Sequence, residues 1–394
     1  MSVLPLLATI LMGWSVLASG QISGQFYLEK VTFAPGEPIF LYFQVVNDGR
    51  QAENLHSADP YSFCSGYQIS ISSDPGATSS CVPLGFGGSC LSSSAVLPPG
   101  KTHVERLLLN FDHKIETSGT YSVEAERQLS HARASADYFS PDTPKDTLEV
   151  HTTLYFRVDP SATQDPKALQ TFVDELRSED PNKRREAART LASAAPRSLE
   201  DALLAFADKP EFRQFAPLAF HHLNTQRSMK ALADLLKKTE VGSYEHIKSA
   251  DYLAESGDLQ WFPILQDLAQ KHAQISNYVD DAAELGGDRA LPTLITLTHS
   301  PDREFTRINA VSAMGYTGAR TAVPILIELL RNSDTDVGDR ARAALHLLTH
   351  RTASADLYEN AQSQYPIWSQ WWAREGSTAV IYKPTECGEL SPLP

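Results

Sequence analysis

The sequence predicts a multidomain chain of two fold classes in series, all-β then all-α: a β-sandwich leading into a helical solenoid. Three observations predict it. Short runs of aromatic and β-branched residues, separated by turn residues, fill residues 25–158. Helical periodicity replaces them beyond residue 166. The helical half also repeats itself at a spacing of roughly thirty residues, with prolines and small residues recurring in step.

At 394 residues the chain has the length for two or three domains, each able to bury its own core. Its formal net charge is −14, with the negative excess on both halves. That balance argues against nucleic acid as a partner, because binding phosphates needs a basic face. Lys183, Arg184, Arg185 and Arg189 form the densest basic group and read as a solvated helix face.

Residues 3–17 form an apolar stretch followed by Ala18-Ser19-Gly20, small residues where an export peptidase reads. Residues 1–20 are therefore expected to be a signal peptide, and the mature chain to be secreted or periplasmic. The absence of any Asn-x-Ser/Thr sequon points to a bacterial source. The stretch falls short of the ~20 residues that span a bilayer, and no later membrane span is expected. Four cysteines suit an oxidising compartment. Cys81 and Cys90 could close a Gly-rich loop and leave Cys64 for Cys387, or one bond could form beside two free thiols.

Within residues 21–158 the candidate strands are 26–33, 39–46, 67–72, 104–111, 120–126 and 148–158. Phe40, Tyr42 and Gln44 alternate with Leu41, Phe43 and Val45, which predicts a strand covered on both faces. Residues 73–97 turn to Ser, Gly and Pro around two cysteines. They read as a long loop, either a stapled connection or a ligand-contacting one. Residues 116–123, Glu-Thr-Ser-Gly-Thr-Tyr-Ser-Val, resemble the tyrosine corner of immunoglobulin-like domains, with Tyr121 as the corner residue. Val123 stands where that family carries its second cysteine. The resemblance thus implies an immunoglobulin-like β-sandwich without the inter-sheet disulfide.

Residues 159–166 read as a linker, 167–351 as repeats and 352–394 as a cap and tail. Pro263, Pro292 and Pro324 recur in step, each where a helix's first turn tolerates a missing amide donor. A small residue and a larger apolar one recur three apart on the other helix of each unit. The pairs are Ala188/Leu191, Ala250/Leu253, Ala282/Leu285, Val311/Met314 and Ala344/Leu347. That spacing puts both on one helix face, where the small residue admits a neighbouring helix and the large one fills the groove. Trp368, Trp371 and Trp372 fall within five positions and read as an apolar cap on the last unit, or as an aromatic platform for a carbohydrate or peptide.

These repeats resemble HEAT repeats, of the short kind first described in phycobilin lyases. Asp302 with Arg307, and Asp334 with Arg340, look like that family's Asp and Arg, which can bond between neighbouring units. The resemblance implies an α-solenoid and protein–protein scaffolding; its lyase branch acts on tetrapyrroles.

No phosphate loop, nucleophile elbow or His-Glu-x-x-His helix occurs. His346/His350 and His221/His222 read as structural or surface histidines, so no catalytic, cofactor-binding or metal-binding residue is assigned. The prediction is an exported interaction or scaffold protein offering an elongated concave surface to an unknown protein or peptide. The alternative is an enzyme of unknown reaction, lyase-like or hydrolytic, with its site where sandwich and solenoid meet.

Overall fold

A computed structural model describes residues 22–58, 65–74, 92–111, 115, 118–164, 166–300, 304–352, 360–384 and 390–393. The expected signal peptide, the four cysteines and Asp302 lie outside the described residues. The chain divides into two compact units, Met1–Pro196 and Arg197–Pro394.

The first unit is sheet-rich. Its strands are β1 (Ile22–Leu28), β2 (Thr32–Phe33), β3 (Phe40–Asn47), β4 (Glu53–Ala58), β5 (Tyr67–Asp74), β6 (Ser92–Leu97), β7 (Thr102–Leu108), β8 (Gly119–Arg133) and β9 (Asp146–Val158). Two helices follow, α1 (Pro166–Glu175) and α2 (Pro181–Ala194). One sheet runs β1-β3-β7; the other runs β2-β9-β8-β4-β6, with β5 also on β8. Pairing is antiparallel except between β2 and β9. The sheets share one core: Phe43 from the first packs edge-on against Tyr67 of the second at 5.9 Å, and Leu41, Val45, Val123 and Ala125 are fully buried.

β3 shows why alternation was informative. Leu41, Phe43 and Val45 enter the core, while Tyr42 and Gln44 are half-buried on the other face. There Tyr42 stacks on Tyr27 at 5.1 Å, and Phe40 meets Phe172 of α1 at 6.1 Å. Arg106 of β7 pairs with Glu186 of α2, so α1 and α2 belong with the sheets. Tyr121 sits near the start of β8, 6% exposed, stacked on Phe156 at 5.1 Å. Two strands depart from the sequence reading. β4 and β6 pair with each other, and β6 occupies the end of the stretch expected to be a loop. Their residues, Glu-Asn-Leu-His-Ser-Ala and Ser-Ser-Ser-Ala-Val-Leu, are too polar to carry a strand signature, and β6 is an edge strand needing only one apolar face.

The second unit is helical: α3 (Glu200–Leu204), α4 (Ala216–Leu223), α5 (Gln226–Lys238), α6 (Tyr244–Glu255), α7 (Phe262–Lys271), α8 (Ser276–Gly286), α9 (Leu291–Thr298), α10 (Glu304–Met314), α11 (Ala322–Leu329), α12 (Thr335–Thr349) and α13 (Ala361–Glu375). A hairpin of β10 (Ile381–Pro384) and β11 (Leu390–Leu393) ends it. α4, α6, α8, α10 and α12 pack each on the next, and α5, α7, α9 and α11 pair with their followers in sequence. Stacked helical pairs are the result.

The small-and-large pairs lie at the contacts of the first layer. Ala250, Leu253, Val311 and Met314 are fully buried, and Ala282 and Leu285 nearly so. In α12, Leu345 and Leu348 take the buried places and Leu347 is half-buried. Pro263 and Pro292 are the second residues of α7 and α9 and Pro324 the third of α11, all with exposed side chains in first turns whose amides have no helical acceptor anyway. Arg307 bonds Asp334, the N-cap of α12, at 3.2 Å, tying one pair to the next. In α13, Trp368 and Trp371 are buried and meet edge-on at 5.5 Å, with Trp372 half-buried beside Trp371.

Candidate functional site

The polar groups that stand out lie on α6 and α8, neighbours in the first layer. Their packing is set by Ala250 and Leu253 on one and Ala282 and Leu285 on the other. Asp251 follows Ala250 and Asp281 precedes Ala282, so the contacts that close the seam also draw these carboxylates inward.

Asp281 is 7% exposed, and its Oδ2 has no hydrogen-bond partner. Burial, then the charges of Asp251 and Asp280, push its carboxyl well above the usual range. Asp280, next to it, also has an orphaned oxygen, Oδ1. Burial, with Asp251 and Glu284, pushes it up to about 7. Asp251 is raised by burial too, against the pull of Lys248, whose Nζ stands 2.8 Å from its Oδ2, and of Asn277; its Oδ1 is orphaned. Glu255 and Glu284 complete the group. On its flanks His221 of α4 stacks on Tyr252 at 4.3 Å and lies 3.5 Å from Glu255, while Lys383 of β10 donates to the Glu284 carbonyl at 2.9 Å.

One turn away along the same two helices, a buried hydrogen-bonded relay is complete. The Gly242 amide donates to Tyr278 Oη at 3.0 Å, and that hydroxyl lies 2.6 Å from His246 Nδ1. Burial, then the charge of His272, lowers the His246 pKa, so the ring is neutral near pH 7 and its Nδ1 is assigned as acceptor. The contrast is informative. Tyr278 Oη and His246 Nδ1 are paired with each other, and at the neighbouring carboxylates three oxygens have no partner.

Two grooves lie elsewhere in this unit. One of about 480 Å³ sits between the α4–α5 and α6–α7 turns, beside Thr225, Lys230, Asp258 and Trp261. The other, about 600 Å³, is lined by His350, Arg351, Trp371, Glu375 and Tyr382. Arg351 lies 5.2 Å over the Trp371 ring there. His346 and His350 are 5.9 Å apart by ring centroid, and His221 and His222 5.6 Å. Among the described residues no group of three or more His, Cys, Asp or Glu is placed to hold a metal ion, and no helix is long and apolar enough to cross a membrane. In the sheet-rich unit, Arg184 bonds the Ser178 and Glu179 carbonyls and Arg189 lies over the Phe111 ring at 5.3 Å.

Sequence reasoning missed the α6–α8 carboxylates. A signal existed: in Asp280-Asp281-Ala282 and Ala250-Asp251, acids directly flank the small residues that mark the buried face.

A family model described as HEAT repeats matches residues 264–348, so the helical unit carries HEAT repeats. A search of curated proteins finds no match to the chain. Among solved structures, the complex of CpcE and CpcF of phycocyanin lyase from Nostoc sp. PCC7120 is similar, at 17% identity over 54% of this chain and 97% of that one, with a TM-score of 0.33.

Proposed function

We propose that the chain is an exported scaffold that binds a protein partner along the α6–α8 face of its HEAT repeats. The observation that carries this is the set of incompletely bonded carboxylates on adjacent first-layer helices, because a face built only to pack would satisfy its buried polar groups internally. Export rests on the apolar run of residues 3–17 before Ala18-Ser19-Gly20, and secretion or a periplasmic location follows from it. The sheet-rich unit reads as an immunoglobulin-like sandwich on the strength of Tyr121 near the start of a late strand, and serves as a second recognition or spacer module.

The test is site-specific photo-crosslinking in cells that make the protein. A photoreactive residue replaces exposed Asn277 on the α6–α8 face, or Pro263 or Pro292 in the other layer. A discrete cross-linked protein from position 277, absent from 263 and 292, supports the reading. Equal cross-linking from all three, or none from 277, overturns it.

A further inference from the structure

We propose that the cleft formed by the end of α12, α13 and β10 binds a neutral carbohydrate, whose hydroxyl groups are shared between Arg351 and Glu375 and whose ring lies against Tyr382. This site goes beyond the scaffold reading and does not rest on it.

The cleft has a volume of about 600 Å³, inside the range of ~300–1,000 Å³ in which small-molecule sites fall. Its walls are fixed from behind. Arg320, just ahead of α11, donates to the Gly376 carbonyl and, at 2.6 Å, to that of Ala379, holding the segment that leads from α13 into β10. Lys383 of β10 donates to the Glu284 carbonyl at 2.9 Å. Trp371 is only 5% exposed, so its indole supports the cleft rather than serving as a platform within it.

That one indole carries two opposite charges. Arg351 lies 5.2 Å over its face, and its Nε1 donates to Glu375 Oε2 at 2.9 Å. Both charged residues are exposed in the cleft, and among the described residues no ion pair joins them. An anion drawn to Arg351 would meet Glu375, and a cation drawn to Glu375 would meet Arg351. A sugar suits both, because a hydroxyl group donates as well as accepts: one gives its hydrogen to the Glu375 carboxylate while its neighbour accepts from the Arg351 guanidinium. The half-buried Tyr382 ring and Val380, 49% exposed, supply an apolar flank for the C–H face of a pyranose.

His350 marks the same cleft by its backbone. It caps α12 at a φ of 51°, in the left-handed region that glycine enters without steric cost. Glycine would serve the helix better. Histidine instead places an imidazole in the cleft, edge-on to Tyr382 at 5.5 Å.

The experiment titrates the full chain at neutral pH with the methyl glycosides of glucose, galactose, mannose and N-acetylglucosamine, and with glucuronate and glycylglycine, followed by saturation-transfer NMR of the ligands. At least one glycoside is expected to bind wild type, to lose at least fivefold in affinity on His350→Gly or Glu375→Gln, and to bind Lys230→Ala, altered in the other groove, unchanged. His350→Gly is expected to melt no lower than wild type, so that its weaker binding reports the lost ring rather than a lost fold. Should it melt lower, Glu375→Gln, which keeps an acceptor for Trp371 Nε1, carries the comparison alone.

No binding of any of the four glycosides overturns the proposal, as does a glycoside that binds both variants as tightly as wild type or is lost on Lys230→Ala. Glucuronate bound at least tenfold more tightly than methyl glucoside would make the ligand an anion held by Arg351, and glycylglycine bound in place of the glycosides would make it a zwitterion; either result overturns the neutral carbohydrate.

Discussion

Arg127 on β8 and Glu105 on β7 stand 3.6 Å apart in the interior of the sheet-rich unit, an ion pair joining one sheet to the other. Arg127 is 1% exposed and lies 4.3 Å over the Tyr67 ring, whose hydroxyl donates to Glu105. His103 approaches the same carboxylate at 3.5 Å. Burial alone would raise the Glu105 pKa, but the bonds from His103 and Tyr67 and the charge of Arg127 bring it below the usual range. Each member therefore depends on the others staying.

Removing one partner strands a buried charge. Glu105→Gln is expected to cost about 3–5 kcal/mol, because Arg127 keeps its charge with no counter-ion. Replacing the pair together, Arg127→Met with Glu105→Leu, should recover more than half of that loss. Urea unfolding followed by far-ultraviolet circular dichroism measures both. A Glu105→Gln variant as stable as wild type would show that the pair contributes nothing.

A second prediction concerns the α7–α8 contact. A Cβ on Gly286, the last residue of α8, would clash with the edge of the Phe262 ring at the start of α7. Gly286→Ala is therefore expected to destabilise the helical unit by about 1–3 kcal/mol through overpacking. Phe262→Leu should relieve it, so that the double variant melts above Gly286→Ala alone. Tryptophan fluorescence reads this directly, since Trp261 adjoins Phe262. Additive losses in the double variant would rule out the clash.

How far the sequence anticipates these features depends on where the deciding partner lies. β3 was legible because its apolar alternation is a local pattern, and the helical pairs because prolines and alanines recur in step. β4 and β6 were not, since their strand character comes from pairing with each other rather than from their own side chains. Arg127 and Glu105 are 22 residues apart on different sheets, and nothing in the intervening sequence announces that they meet. The carboxylate seam failed for the same reason. Asp251 and Asp281 are brought near each other only by the stacking of α6 on α8, which a repeat implies but a residue count does not locate.

The pH dependence of stability follows from that seam, and its sign can be worked out. Asp280 titrates near 3.8 when unfolded and at about 7 when folded. Between those values the folded chain holds more protons, so stability falls as pH rises through the window and levels off above it. The shift of about three units corresponds to at most about 4 kcal/mol. Asp251 and Asp281 are shifted in the same direction and steepen the fall. The charges facing Asp280 include Glu284 on its own helix and Asp251 on α6, with Lys248 beside Asp251 and Lys383 beside Glu284. The Lys248 pKa is raised, so that group stays charged across the window and does not cancel the effect. Asp234 and Asp334, in the same unit, have lowered pKa values and act oppositely, withdrawing stability only as pH falls below about 4. The helical unit is thus expected to be most stable at about pH 4, at the foot of that window, and its tryptophan-detected melting temperature to drop from pH 5 to pH 8. Asp280→Asn should flatten that drop and, at pH 8, melt above wild type. A melting temperature that rises from pH 5 to pH 8, or a slope unchanged by Asp280→Asn, would mean that Asp280 is hydrated rather than buried among like charges.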